Sequence, residues 1–118
     1  MTNFTQTRYT LAVPDLAKST HYYTSVLGLT VDFTAPGWVF LSRGAFRVML
    51  GECADAMAPA QLGDLSWYGY VTVSDATALF DEYRAAGADF IQELSDKPWG
   101  TREFGVRTID GHRVMFGQ

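Results

Sequence analysis

The chain has 118 residues, of which 47% are hydrophobic and 14% aromatic, and its formal net charge is −4. This length and composition are typical of one folded domain with a substantial hydrophobic core. The acidic balance, with no basic stripe, argues against nucleic acid as a partner, and no apolar run approaches the roughly 20 residues that a membrane span needs.

The first half of the chain predicts a strand, a helix and three further strands. Alternation of apolar residues predicts the first strand over 8–13. Asp15 is a suitable N-cap for the helix that follows, and Gly28 is a suitable residue to end it. The next strands are predicted over 29–33, 38–42 and 46–51, with turns between them.

The second half predicts the same order after a linker over 52–64. A strand over 68–73 leads into a helix that begins after Asp75 and ends at Gly87. Strands follow over 88–93, 102–107 and 112–117, with a longer loop over 95–101. We therefore expect one domain over 1–118, with module one at 1–51 and module two at 65–118.

The two halves also share sequence. VPDLA at 13–17 is matched by VSDAT at 73–77, and FRVMLG at 46–51 is matched by HRVMFG at 112–117. A motif that occurs only twice indicates two modules that pack on each other, since a solenoid needs at least three repeats. The predicted fold class is therefore α+β, with two tandem βαβββ modules.

The N-terminus and the single cysteine bear on location. Met1-Thr2-Asn3-Phe4 lacks the basic and apolar pattern of a secretory signal. Cys53 is the only cysteine, which excludes an internal disulfide. The expected location is the cytoplasm.

The predicted order, together with several motifs, resembles the vicinal-oxygen-chelate superfamily. The motifs are VPDLAKS at 13–19, Tyr22, LGL at 27–29, PWGTREFGVR at 98–107 and DGHR at 110–113. That superfamily includes glyoxalase I, fosfomycin-resistance transferases, extradiol dioxygenases and bleomycin-resistance proteins, and the last motifs are most similar to the bleomycin-resistance branch. The resemblance implies an eight-stranded, cup-shaped mixed sheet with the helices outside and the ligand site in the cup. It also implies a homodimer, since the linker lets modules pair within one chain or between two.

Strand alternation predicts which side chains face the cup, because the apolar positions of each strand pack under the helices. The predicted cup residues are Arg8, Thr10, Ala12, Arg47, Met49, Tyr68, Tyr70, Thr72, Glu103, Gly105, Arg107, Arg113 and Met115. Either Trp38 and Phe40 or Val39 and Leu41 join them. Trp99 lies on the adjoining loop, and Glu103 is the one acidic residue expected in the cup.

The resemblance implies four metal-ligand positions, which fall by register on Arg8, Met49, Tyr68 and Met115. Arginine stays protonated and has no lone pair to offer, and a thioether is soft and suits Cu(I) rather than the imidazole-and-carboxylate chemistry that the resemblance implies. Of the two histidines, His21 is predicted outside the cup and His112 on the helix-facing side or at a strand end. We therefore expect no metal and no cofactor.

The predicted cup combines aromatic and methionine surface with several arginines. Such surface suits planar or irregular organic ligands, and the surplus of arginines over Glu103 favours negative charge on the ligand. Two plainer alternatives stay open. The apolar side chains could simply fill the space between the sheets, and some of the arginines could reach the rim from strand ends.

Three functions remain. The first, which we favour, is a metal-free protein of the antibiotic-resistance type that binds or sequesters a planar or aromatic organic ligand. The residues predicted to bind it are Arg8, Trp38, Phe40, Arg47, Met49, Tyr68, Tyr70, Trp99, Glu103, Arg107 and Met115. The second is a cofactor-free isomerase or lyase that uses Tyr68, Tyr70 or Glu103 as acid or base. The third, a metal-dependent lyase or dioxygenase, is disfavoured by the missing ligands.

Overall fold

The computed structural model describes residues 2–63 and 65–118, and its elements follow the order βαβββ twice. Module one contains β1 (Tyr9–Val13), α1 (Leu16–Ser25), β2 (Thr30–Ala35), β3 (Trp38–Arg43) and β4 (Phe46–Glu52). Module two contains β5 (Trp67–Thr72), α2 (Ala76–Ala85), β6 (Asp89–Asp96), β7 (Arg102–Arg107) and β8 (Arg113–Gly117), and a short 3-10 helix lies between the modules at Pro59–Gln61. The predicted α+β class is confirmed. Neither α-helix is long and apolar enough to cross a membrane.

Each module forms its own four-stranded mixed sheet. The strand orders are β1-β4-β3-β2 and β5-β8-β7-β6. In both sheets the first and last strands of the module run parallel, and the remaining pairs are antiparallel. Across the described residues, no strand pairing joins one sheet to the other. The eight strands therefore form two open sheets.

Both helices begin at the predicted N-caps. The Asp15 carboxylate accepts a hydrogen bond of 3.1 Å from the Lys18 amide, and the Asp75 carboxylate accepts one of 3.0 Å from the Ala78 amide. The glycines that follow the helices, Gly28 and Gly87, have φ of 78° and 83°. Only glycine adopts this left-handed conformation without strain, so these glycines end the helices as predicted.

The helix-facing sides of the two sheets contribute to one hydrophobic core. The Tyr83 hydroxyl of α2 donates a 2.8 Å hydrogen bond to the Leu27 carbonyl, just beyond α1. The rings of Phe46 and Phe116, one from each module, lie 5.8 Å apart. We call the other side of each sheet, which faces away from its helix, the open face. The open faces correspond to the cup surfaces that the sequence predicts.

Candidate functional site

The open face of module one presents Trp38 and Phe40, whereas Val39 and Leu41 lie in the core. This settles the alternative that the sequence left open. The Trp38 ring covers Gly51, where an added Cβ would lie 2.8 Å from the ring. Phe40 is paired with Met49 on β4, so the two side chains are neighbours on this face.

Phe33 adds a second ring that the sequence analysis did not single out. Its ring lies 5.6 Å from that of Phe40 in an edge-to-face arrangement, and it is one of the most exposed aromatic side chains. The alternation in β2 is interrupted by a register shift between Val31 and Phe33. A bulge of this kind redirects side chains, which explains why the sequence pattern did not reveal Phe33.

Arg8 lies at the open face of module one, but its charge is already compensated. Its guanidinium lies 5.2 Å from the centre of the Phe40 ring and 3.6 Å from the Asp32 carboxylate. It also donates to two backbone carbonyls, those of Leu41 and Val48. Asp32 is therefore a second acidic residue at the open faces, which corrects the expectation that Glu103 would be the only one.

Arg47 is the arginine of this face that stays available. It is half-buried and lies opposite Ser42 on β3. No carboxylate forms an ion pair with it in the parts of the chain that the structure describes. An anionic group on a ligand would therefore find an uncompensated guanidinium here.

The open face of module two is built around Tyr70 and Glu103. The Tyr70 ring covers Gly117, and an added Cβ there would clash with the tyrosine ring. The Thr101 hydroxyl donates a 2.6 Å hydrogen bond to Glu103 Oε1, and the Tyr70 hydroxyl lies 3.5 Å from the same oxygen. Partial burial, followed by the nearby Glu103 charge, raises the pKa of Tyr70.

Met115 lies on this face but is fully buried, which corrects the expectation that it lines an accessible cup. Its sulfur and the Ile91 side chain fill the space above Gly105, which has no side chain of its own. Met115 is therefore not accessible to a ligand in this structure.

Tyr68 is the clearest correction, because it faces the helices. Its hydroxyl lies 3.0 Å from that of Tyr23 on α1, and burial raises the pKa of both groups. A register shift between Trp67 and Gly69 breaks the alternation of β5 at this point. The bulge turns Tyr68 away from the open face, so it does not contact a ligand there.

The remaining two arginines have structural partners. Arg107 lies 3.1 Å from the Asp89 carboxylate. Arg113 is buried and donates to the carbonyls of Pro59 and Gly63, so it holds the linker against β8. Both side chains line a cavity of about 240 Å³ with Gln92. Arg107 was predicted to bind ligand, but its ion pair with Asp89 already compensates its charge.

Trp99 projects from the β6–β7 turn. The Lys97 amide donates 2.7 Å to the Thr101 carbonyl, and the Gly100 amide donates 3.0 Å to the Lys97 carbonyl. Gly100 has φ of 100°, which the turn requires. The hydrogen-bonded turn holds the Trp99 ring in solvent, two residues from the hydroxyl that binds Glu103.

The residues at the family's metal positions do not fit a metal centre. The Tyr68 hydroxyl is hydrogen-bonded to that of Tyr23, Met115 is buried, and Arg8 is a cation. Within residues 2–63 and 65–118, no group of three or more His, Cys, Asp or Glu side chains could hold an ion. His21 is exposed on α1, and burial lowers the pKa of His112 beside Tyr68. A metal-free state stays a prediction.

Comparison with known proteins places this geometry in context. A model of the Glyoxalase/Bleomycin resistance protein/Dioxygenase superfamily matches residues 5–116. An uncharacterized protein of Mycobacterium tuberculosis is 29% identical over 120 residues, which cover 92% of this chain and 71% of that protein. The structure of TioX from Micromonospora sp. ML1 superimposes with a TM-score of 0.81 and 28% identity over 98% of both chains. The bleomycin-binding protein of Streptomyces verticillus, solved with copper(II)-bleomycin, gives a TM-score of 0.78 and 22% identity over 98% of this chain and 97% of that one.

Proposed function

Because the chain belongs to the Glyoxalase/Bleomycin resistance protein/Dioxygenase superfamily, we propose that it binds a small organic molecule against the open faces of its sheets. The ligand is planar or aromatic, and Arg47, the half-buried arginine of module one that forms no ion pair among the described residues, favours negative charge on it. Affinity alone is the function, through sequestration of the antibiotic-resistance type, without a metal or cofactor. A cytoplasmic location stays a prediction.

Exposed aromatic side chains on both modules carry this proposal. The exposed fractions are 60% for Phe33, 38% for Trp38, 39% for Tyr70 and 70% for Trp99. Contacts on the sheets hold three of these rings in place, Phe33 against Phe40, Trp38 over Gly51 and Tyr70 over Gly117, so a ligand gains contact area there without the cost of ordering them. Burial of apolar area stabilises a complex by about 25 cal/mol per Å², and aromatic pairs add about 0.5–1.5 kcal/mol each.

We propose that a second copy encloses the site. The contacts between the modules of one chain, such as Tyr83 with Leu27, lie on the helix-facing side, so each open face needs another cover. A two-fold dimer brings the module-one face of one copy opposite the module-two face of its partner. Sedimentation at micromolar concentration should give a dimer, and a monomer there would contradict this part of the proposal.

The alternative of a cofactor-free enzyme loses its tyrosine bases. Burial raises the pKa of Tyr68, and partial burial raises that of Tyr70. Neither hydroxyl would supply a phenolate near neutral pH, where a general base has to accept a proton. The raised pKa values therefore disfavour these two tyrosines as general bases, which leaves Glu103 as the candidate base of that alternative.

The experiment compares two aromatic probes of equal size, naphthoate and naphthalenemethanol, by calorimetric titration. Both should bind the wild-type protein, and the anion should bind about ten-fold more tightly, as expected for one charge-assisted hydrogen bond. Arg47→Gln should remove that advantage. Arg84→Gln should keep it, because Arg84 pairs with Asp81 on α2, away from the open face.

Two results would count against the proposal. If neither probe binds the wild-type protein or raises its melting temperature, the aromatic site is refuted, since a ligand of the native state must stabilise it. If naphthoate keeps its advantage in Arg47→Gln, the aromatic site stands and the role of Arg47 is wrong.

A further inference from the structure

Glu103 is a carboxylate that the fold nearly encloses without a cation beside it. Only 5% of the residue is exposed. Its two protein partners, the hydroxyls of Thr101 and Tyr70, are neutral. Within the described residues no Lys, Arg or His forms an ion pair with it. A buried carboxylate is costly unless a positive charge or enough hydrogen-bond donors compensate for it.

The two carboxylate oxygens of Glu103 differ. Both hydroxyls interact with Oε1, whereas none of the described residues donates a hydrogen bond to Oε2. Oε2 is not fully enclosed by the protein, so it keeps some contact with solvent. The side chain is thus oriented through one oxygen, and the other is left to accept a donor from outside the protein.

Several carboxylates that are more exposed than Glu103 do have cations beside them. Asp32 lies beside Arg8, Glu82 beside Arg43 and Asp96 beside Arg102. Ion pairs at the surface contribute little to stability, while an uncompensated charge in a buried position costs much more. A fold optimised for stability alone would give the buried carboxylate its partner first. The missing partner of Glu103 therefore points to a group that arrives with a ligand.

We infer that Glu103 Oε2 binds a cationic nitrogen of the ligand, such as a protonated amine or an amidinium, while the aromatic part of the ligand packs on Tyr70. This inference rests on the proposed function, because it assigns a second polar group to the same aromatic ligand. With Arg47 on module one and Glu103 on module two, the two faces together select an aromatic molecule that carries both charges. A charge-assisted hydrogen bond at Glu103 makes this part of the site prefer a positive charge, whereas Arg47 makes its part prefer a negative charge.

The test adds a third probe, naphthylmethylammonium, and compares it with neutral naphthalenemethanol. Wild-type protein should bind the cation about ten-fold more tightly than the alcohol. Glu103→Gln, which keeps the size of the side chain and one acceptor oxygen but removes the charge, should abolish that preference. The matched control is Glu93→Gln, because Glu93 is exposed on the neighbouring strand β6.

The outcomes separate the inference from the proposed function. The inference is overturned if wild-type protein binds the cation and the alcohol equally well, or if the cation preference survives in Glu103→Gln. In either case, binding of the alcohol would still support the aromatic site. Failure of all three probes overturns both. If Glu103→Gln does not fold, the carboxyl carbon resonance of Glu103 in the wild-type protein decides. It should shift with the cation and not with the alcohol, and the absence of a difference overturns the inference.

Discussion

The two modules use the same strand pairing to build different open faces. In module one Trp38 is paired with Gly51, whereas at the equivalent position of module two Glu103 is paired with Gly117. Each glycine lies under an aromatic ring, but the rings come from different strands. Trp38 covers its own pairing partner, while Tyr70 reaches Gly117 from β5, on the other side of β8.

This difference shows how one scaffold can hold a carboxylate in one half and an aromatic ring in the other. The glycine at the end of the last strand leaves space for one ring, because it has no side chain. When the ring comes from the first strand, as Tyr70 does, the position on the third strand is free for Glu103. The tyrosine also places its hydroxyl beside the Glu103 carboxylate. In module one the equivalent position is Trp38 itself.

The largest expected effect concerns the core beneath these faces. Leu50 and Phe116 are equivalent in the repeat and both are buried, but Phe116 also contacts Phe46 of module one and Tyr83 of α2. Truncation of Phe116 to Ala should lower the free energy of unfolding by about 4 kcal/mol, and Leu50→Ala by about 3 kcal/mol. Urea unfolding measures both. A larger loss for Leu50→Ala would mean that contacts between the modules contribute less than the contacts within each one.

The second prediction concerns the equivalent tyrosines of the two helices, Tyr23 and Tyr83. Each hydroxyl reaches the other module, Tyr23 at Tyr68 and Tyr83 at the Leu27 carbonyl. Burial, opposed by the nearby Arg43 charge, raises the pKa of Tyr83 to about 12. The unfolded chain ionises near pH 10, so stability from the neutral tyrosine is fully present below that pH and is lost as the pH rises towards about 12.

The expected slope is on the order of 1 kcal/mol per pH unit for Tyr83 between about pH 10 and 12. Tyr83→Phe should therefore make the alkaline loss of stability less steep, in addition to a loss of about 1 kcal/mol at neutral pH from the missing hydrogen bond. Identical pH dependence of the wild-type and Tyr83→Phe proteins in urea unfolding would contradict the assignment.

Local signals were sufficient for most of the fold. The N-cap aspartates and the glycines after the helices mark their own positions, because capping and left-handed φ depend on residues close in sequence. The strands were predicted within one to three residues of their observed bounds, and the largest miss was β6, which continues to Asp96. The face of Trp38 and Phe40 was left open, because both alternating sets of β3 are apolar.

The open faces were harder to predict, because bulges and tertiary contacts decide them. The register shifts in β2 and β5 change which side of the sheet the following side chains face. The residue types at the two shifts, Asp32 and Tyr68, do not indicate a bulge. Met115 is buried, and its sulfur shares the space above Gly105 with Ile91, from a strand that is not its neighbour in the sheet. Sequence alternation therefore identified Tyr70 and Glu103 on a face, but not that they share a contact.

The smallest expected effects concern Glu52 and Gln118. Each follows the glycine that ends the repeated motif, Gly51 in module one and Gly117 in module two. Glu52 Oε2 accepts a 3.0 Å hydrogen bond from the first amide of α1, and Gln118 Oε1 accepts one of 2.9 Å from the first amide of α2. Both side chains thus connect the end of a module's last strand to the start of its helix. The charge is present in module one only, so the two positions separate hydrogen bonding from the interaction of a charge with the helix dipole.

Replacement of Glu52 or Gln118 by Ala should lower the free energy of unfolding by about 1 kcal/mol, as for other lost helix caps. Glu52→Gln keeps the acceptor and loses only the charge, so about 0.3–0.5 kcal/mol is expected at low ionic strength. Salt should reduce that difference, because it screens exposed charges, whereas the loss in Gln118→Ala should not depend on salt. Urea unfolding at low and high salt measures both. If Gln118→Ala were the salt-dependent variant, or if Glu52→Gln cost nothing at low salt, the two modules would not differ in the electrostatics of their helix starts.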